Sequence, residues 1–164
     1  MKKVLLRILF MLLLCSTFFI IFNFSAQDGT ESGGLSKKVT TKFVNTFPYT
    51  KNLSSNTKEN LIEHGEIIVR KLAHFSIYTL VGIFIMAFMF TFNTKLKLQF
   101  GISIMVGLIY AITDEFHQSF VPGRGPSVTD VCIDTAGVFA GILIVLAIVS
   151  IYRAFKNDNK KAIL

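Results

Sequence analysis

Apolar and polar positions run along this chain in long blocks, and the blocks predict the elements. After Lys2, Lys3 and Arg7, residues 8–24 carry no charge. Residues 25–69 are polar, with Gly29, Gly33 and Gly34 among many Ser, Thr, Asn and Lys. Three further apolar runs follow, at 70–92, 98–113 and 127–152. Runs of this length and purity are those of membrane-crossing helices. The pattern therefore predicts an all-α polytopic membrane protein with four transmembrane helices. A partly helical 45-residue outer segment separates spans one and two. The predicted parts are an anchor (1–24), an extracytoplasmic segment (25–69), a three-span core (70–152) and a basic cytoplasmic tail (153–164). A basic start before an apolar run is also the pattern of a signal peptide. The cleavage pattern is poor, because Phe24 stands two residues before Ala26, so residues 4–24 read as an uncleaved span.

Inside the outer segment, Leu35, Val39, Phe43 and Phe47 recur four apart, which predicts an amphipathic helix on the membrane or against the bundle. A second helix is expected over 57–69, with Leu61, Ile62 and residues 67–69 as its buried side and His64 as a solvated loop residue. A segment this long is more than a hairpin, and part of it is expected to cover the site described below. Residues 93–97 form a turn, and the third span is short enough that its helix continues through Asp114–Gln118. The Pro-Gly-Arg-Gly-Pro sequence makes 121–126 a loop. Ser127 is placed to cap the fourth span, and Gly137 and Gly141 give that span a face for close helix packing.

Composition narrows the class. Hydrophobic residues make up 52% and charged ones 16%, too apolar for a soluble domain of 164 residues. A net charge of +7 would point to nucleic acid in a soluble protein. Here it belongs to the flanks of the spans, and no nucleic-acid partner is expected. With both termini inside, the inner segments hold nine basic residues against Asp158, and the outer ones eight basic against nine acidic. Basic density thus favours a cytoplasmic N-terminus and C-terminus. Cys15 and Cys132 both lie in apolar runs with no metal or redox spacing, and read as small buried residues.

The chemistry gathers at 114–124, a polar stretch directly after an apolar run. A charged group at a helix centre costs roughly 2.5–3.5 kcal/mol on insertion scales, so such groups are retained when paired or functional. The four-span topology puts the start of span two, the end of span three and the start of span four in one outer layer. Arg70, Lys71, His74, Tyr78, Asp114, Glu115, His117, Gln118, Arg124, Asp130 and Asp134 therefore meet there. Arg70, Lys71 and Arg124 are candidates to hold a phosphate or carboxylate, with Gln118, Asp130 and Asp134 completing a ligand-binding set. His74 or His117 could serve as general base or nucleophile, oriented by Asp114 or Glu115. The same cluster could instead bind a headgroup without chemistry, or act as a structural clasp of neutralised charges. A metal site from His74, His117, Asp114, Glu115 and Asp130 ranks last, because no His-x-x-x-His or Cys-x-x-Cys spacing supports it, and no cofactor is expected. Tyr78 and Tyr110 read as packing residues at the membrane interface.

Three motifs in order carry a resemblance: Arg70-Lys71-x-x-His74-Phe75-x-x-Tyr78, then Asp114-Glu115-x-His117-Gln118-x-Phe120-Val121-Pro122-Gly123-Arg124, then Asp130-Val131-x-x-Asp134-Thr135-x-Gly137. They resemble the VanZ-like family from Arg70 to about Gly141, and Phe24-Ser25-Ala26-Gln27 followed by Ser32 resembles its entry segment. Asp134 is a departure, since many members carry Asn there. The resemblance implies four spans and a link to low-level teicoplanin resistance. It implies as partners a membrane lipid or lipid-linked cell-wall intermediate, with a glycopeptide antibiotic as the other candidate. An enzyme acting on a phosphate- or carboxylate-bearing lipid-linked substrate at the outer leaflet is the alternative.

Overall fold

The computed structural model describes residues 1–50 and 52–161, with side chains through Lys156. Lys51 and residues 162–164, the end of the expected basic tail, lie outside the described residues, as do the side chains of Asp158, Lys160 and Lys161. Five helices follow in order: α1 (Lys2–Ser25), α2 (Gly29–Thr46), α3 (Ser55–Met89), α4 (Leu96–Gln118) and α5 (Val128–Lys161). No strand occurs among the described residues. Four of the five, α2 excepted, are long and apolar enough to cross a membrane. The all-helical, four-span reading holds, and α4 does continue through Asp114–Gln118.

The centre of the bundle is the seam between α3 and α5. Gly82, Gly137 and Gly141 bring the two backbones together, and a methyl group on Gly141 would lie 2.1 Å from the Thr79 carbonyl oxygen. Phe75 meets Gly137 and Thr79 meets Gly141, so the numbers climb together and the two helices run in the same direction. The antiparallel α4 packs against them through a face of small and polar residues: Gln99, Ser103, Gly107, Ala111, Asp114 and Gln118 are buried. Hydrocarbon surroundings give apolar side chains no reason to turn inward, so the close-packing face is the small and polar one. On α1 the buried side is Leu14, Thr17, Ile21 and Ser25. Phe18 stacks on Tyr110 with ring centres 3.8 Å apart, and the Tyr110 hydroxyl donates to the Phe18 carbonyl at 2.8 Å.

The bundle has two chemically different ends. At one, Arg7 donates to the Thr91 hydroxyl and carbonyl at 3.1 Å and sits over the Phe92 ring, while Lys3 reaches Asn93. At the other, the α1–α2 junction meets the 121–126 loop. The Gly29 amide donates to the Pro122 carbonyl at 3.1 Å, and Arg124 reaches the Ser25 carbonyl at 3.4 Å. A methyl on Gly29 would strike the Gly123 carbonyl at 2.5 Å, and Gly123 itself has φ +74°, so both positions need glycine.

Several expectations are corrected. The helix expected over 57–69 and span two are one continuous α3 of 35 residues, about 52 Å long at the usual rise. Nothing at 69–70 stops a helix: there is no Gly, Pro or capping residue. A helix of this length exceeds a hydrocarbon layer of about 30 Å. Leu61, Ile67 and Ile68 are exposed, not buried, and His64 is helical, its Nδ1 donating to the Asn60 carbonyl at 2.9 Å. The α2 stripe of Leu35, Val39, Phe43 and Phe47 is exposed, which fits the expectation of a helix lying on the membrane, while Gly33, Ser36, Thr40 and Val44 face α3. Thr40 packs against Gly65, where a side chain would collide with it. Cys15 and Cys132 are exposed on the outsides of their helices, not buried. Tyr78 is a packing residue as expected, and it is fully buried.

Asp28 caps α2, accepting from the Thr30 and Glu31 amides at 2.9 and 2.8 Å and from the Thr30 hydroxyl. The Thr30 hydroxyl, followed by the Glu31 amide, holds the Asp28 carboxyl below its ordinary pKa. A lowered carboxylate pKa adds stability above the unfolded value and loses it as pH falls through the folded one. Amide exchange at Thr30 and Glu31 should therefore stay slow through mildly acidic pH and rise only below the usual carboxylate range. Asp28→Ala should abolish that protection at neutral pH.

Candidate functional site

The end of the bundle opposite Arg7 collects the polar side chains. Successive turns of α3 present Arg70, Lys71, His74 and Tyr78, and parallel turns of α5 present Asp130 and Asp134. The pairing follows the parallel register: Lys71 bonds Asp130 at 2.9 Å, and one turn deeper His74 Nδ1 lies 3.4 Å from Asp134 Oδ1. The last turn of α4 adds Asp114, whose Oδ2 accepts from Gln118 Nε2 at 3.0 Å. Gln118 also reaches the Ser25 hydroxyl of α1 at 3.4 Å, so four helices bear on this layer. Asp134 is 0% exposed and Asp114 5%.

The remaining polar residues divide by role. Glu115 is buried and accepts from the Ser127 amide at 2.8 Å, which ties the end of α4 to the start of α5. Ser127 caps α5 as expected, its hydroxyl accepting from the Asp130 amide at 3.2 Å. His117 stacks on Phe22 of α1, ring centres 4.6 Å apart. The structure therefore brings together Arg70, Lys71, His74, Asp114, Gln118, Arg124, Asp130 and Asp134. It sets Glu115 in a helix junction and His117 against Phe22. Arg70 pairs with Glu66 one turn earlier at 3.2 Å, a partner outside the expected cluster. Of the clasp of neutralised charges, the pair Lys71–Asp130 forms among the described residues.

Two hollows open at this layer. The first, about 260 Å³, is an apolar crevice between α1, α2 and α3, walled by Ile21, Phe24, Leu35, Val39, Ala73 and Ile77. The second, also about 260 Å³, is polar and includes Lys71, Gln118, Gly123, Asp130 and Asp134. Arg70, His74 and Arg124 line both hollows and form the boundary between them. Arg124 makes no ion pair among the described residues. Burial, followed by the nearby Arg70 charge, pushes its guanidinium below the ordinary arginine pKa, though arginine remains charged in proteins. Ala73, which the sequence left aside, lines the crevice, and Ser25 anchors both Gln118 and Arg124. Phe24, Ser25, Gln27 and Ser32, the entry segment singled out in the sequence, line the same crevice at the α1–α2 junction.

Four membrane-length helices with a buried acidic–histidine layer at one end define a polytopic helical membrane protein with a sided polar site. The VanZ/LLP1 family profile matches residues 9–150, most of the chain, and the protein belongs to that family. No curated protein and no solved structure gives a significant match.

Proposed function

We propose that this protein binds an anionic envelope lipid or lipid-linked cell-wall intermediate, with the polar end of the bundle facing out of the cell and both termini inside. One observation carries the reading: Arg70, His74 and Arg124 separate an apolar crevice from a polar hollow. That boundary matches an amphiphile, its hydrocarbon against Ile21, Leu35, Val39 and Ile77 and its anion against two guanidinium groups. An anion would relieve the repulsion between Arg70 and Arg124, and arginine binds phosphate or carboxylate bidentately. The exposed α2 stripe of Leu35, Val39, Phe43 and Phe47 extends the apolar wall into the headgroup region. Occupying a cell-wall lipid intermediate in this way would link the site to the glycopeptide tolerance associated with the family.

Native mass spectrometry of the protein in mild detergent tests this. Wild type should carry a phospholipid or polyprenyl-phosphate species, and Arg124→Ala should lose at least about tenfold of it while remaining folded, as expected for removing a charge-assisted bond of about 1.5–3 kcal/mol. Equal lipid occupancy in both proteins would refute the assignment.

A further inference from the structure

The buried layer beneath the two arginines has chemistry of its own. His74, Asp114 and Asp134 come from α3, α4 and α5, and each offers a ligand atom within 4.8 Å of the others. Both oxygens of Asp134 are buried without a hydrogen-bond partner, as is His74 Nδ1, whose 3.4 Å approach to Asp134 is not aligned as a hydrogen bond. No lysine or arginine among the described residues lies within ion-pairing distance of Asp114 or Asp134. Two carboxylates are thus drawn together out of water with one imidazole within reach of both, an arrangement unfavourable unless a proton or a cation supplies positive charge.

We propose that His74, Asp114 and Asp134 bind one divalent first-row transition-metal ion, of the Zn²⁺ or Mn²⁺ type. One imidazole nitrogen and two carboxylates suit such ions, and a 2+ charge balances the two acids. Ligands sharing an ion at about 2.0–2.2 Å lie within about 4 Å of one another, so the side chains need to draw in by about 1 Å. Gln118 holds Asp114 by its Oδ2 and steadies it from outside, the usual support for a metal-binding carboxylate. The Tyr78 hydroxyl, also buried and without a partner, lies one turn below His74. Three protein ligands leave coordination positions open, and His74 and Asp134 line the polar hollow through which an ion and an anionic headgroup could arrive.

The test uses full-length protein carrying no histidine tag, stripped with chelator in detergent and then loaded with Zn²⁺, Mn²⁺ or Co²⁺. Wild type should retain about one ion per chain by elemental analysis, and Co²⁺ should give ligand-field bands typical of a low-coordinate nitrogen–oxygen site. Asp134→Asn and His74→Gln, both close in shape, should weaken binding by roughly a hundredfold, and Gln118→Ala by roughly tenfold. His117→Ala, whose ring stacks on Phe22 and is not among the three ligands, should retain the ion. Arg124→Ala should also retain it while losing lipid, which separates this proposal from the lipid reading. Failure of folded wild type to take up any of the three ions would overturn the proposal, whatever the variants do. Uptake unchanged in Asp134→Asn and His74→Gln would overturn it equally.

Discussion

Gly141→Leu should yield little or no folded protein, seen as loss of the monodisperse peak on size exclusion in detergent. The first carbon of any side chain at this position would stand 2.1 Å from the Thr79 carbonyl oxygen and 2.8 Å from the Ile83 nitrogen. Those are backbone atoms of α3, which cannot swing aside as a side chain would. Overpacking against movable side chains ordinarily costs about 1–3 kcal/mol. Here the helices themselves must separate, taking apart the contacts at Phe75, Thr79 and Gly82 together, against a total stability of only about 5–15 kcal/mol in a typical domain. Gly101→Leu is the control: nothing lies within 4 Å of a side chain there, on the outside of α4. That variant should fold as well as wild type. Similar behaviour of the two would mean that the α3–α5 seam does not hold the bundle together.

Ala73→Phe should separate the two halves of the proposed lipid site. Ala73 is exposed in the wall of the apolar crevice, one residue before His74, so a ring there fills the crevice and leaves every charge in place. Each methylene withdrawn from an apolar surround is worth about 0.8 kcal/mol, so displacing even two costs more than tenfold in affinity. Two-tailed phospholipid occupancy should fall by at least that factor, while a short-chain, water-soluble phosphate ester should bind as it does to wild type. Undiminished occupancy by the long-chain lipid would show that the crevice does not hold the tails.

The membrane spans were legible because each is a block of apolar sequence, and the sided cluster followed from counting crossings. What sequence spacing could not reveal is how residues from different helices meet. His117 sits one residue from Gln118 in the chain yet stacks on Phe22 while Gln118 holds Asp114, because neighbouring positions on a helix point about 100° apart. Asp134 has no metal motif around it, and its partners His74 and Asp114 lie on other helices. The apolar α2 stripe was legible, with membrane and bundle both open as its surroundings, and it is exposed because the small residues opposite it pack on α3. Tyr78 was read as a packing residue, and the close approach of α3 and α5 buries it completely.

The unbroken run of α3 past residue 69 makes a lever of it. The arm that α2 grips, including Gly65 and Glu66, and the turn that carries His74 belong to one stiff rod. The glycine seam with α5 lies just beyond, and serves as its fulcrum. A side load on the outer arm is therefore carried to the seam, which begins one residue after His74, and is not absorbed by a bend in between.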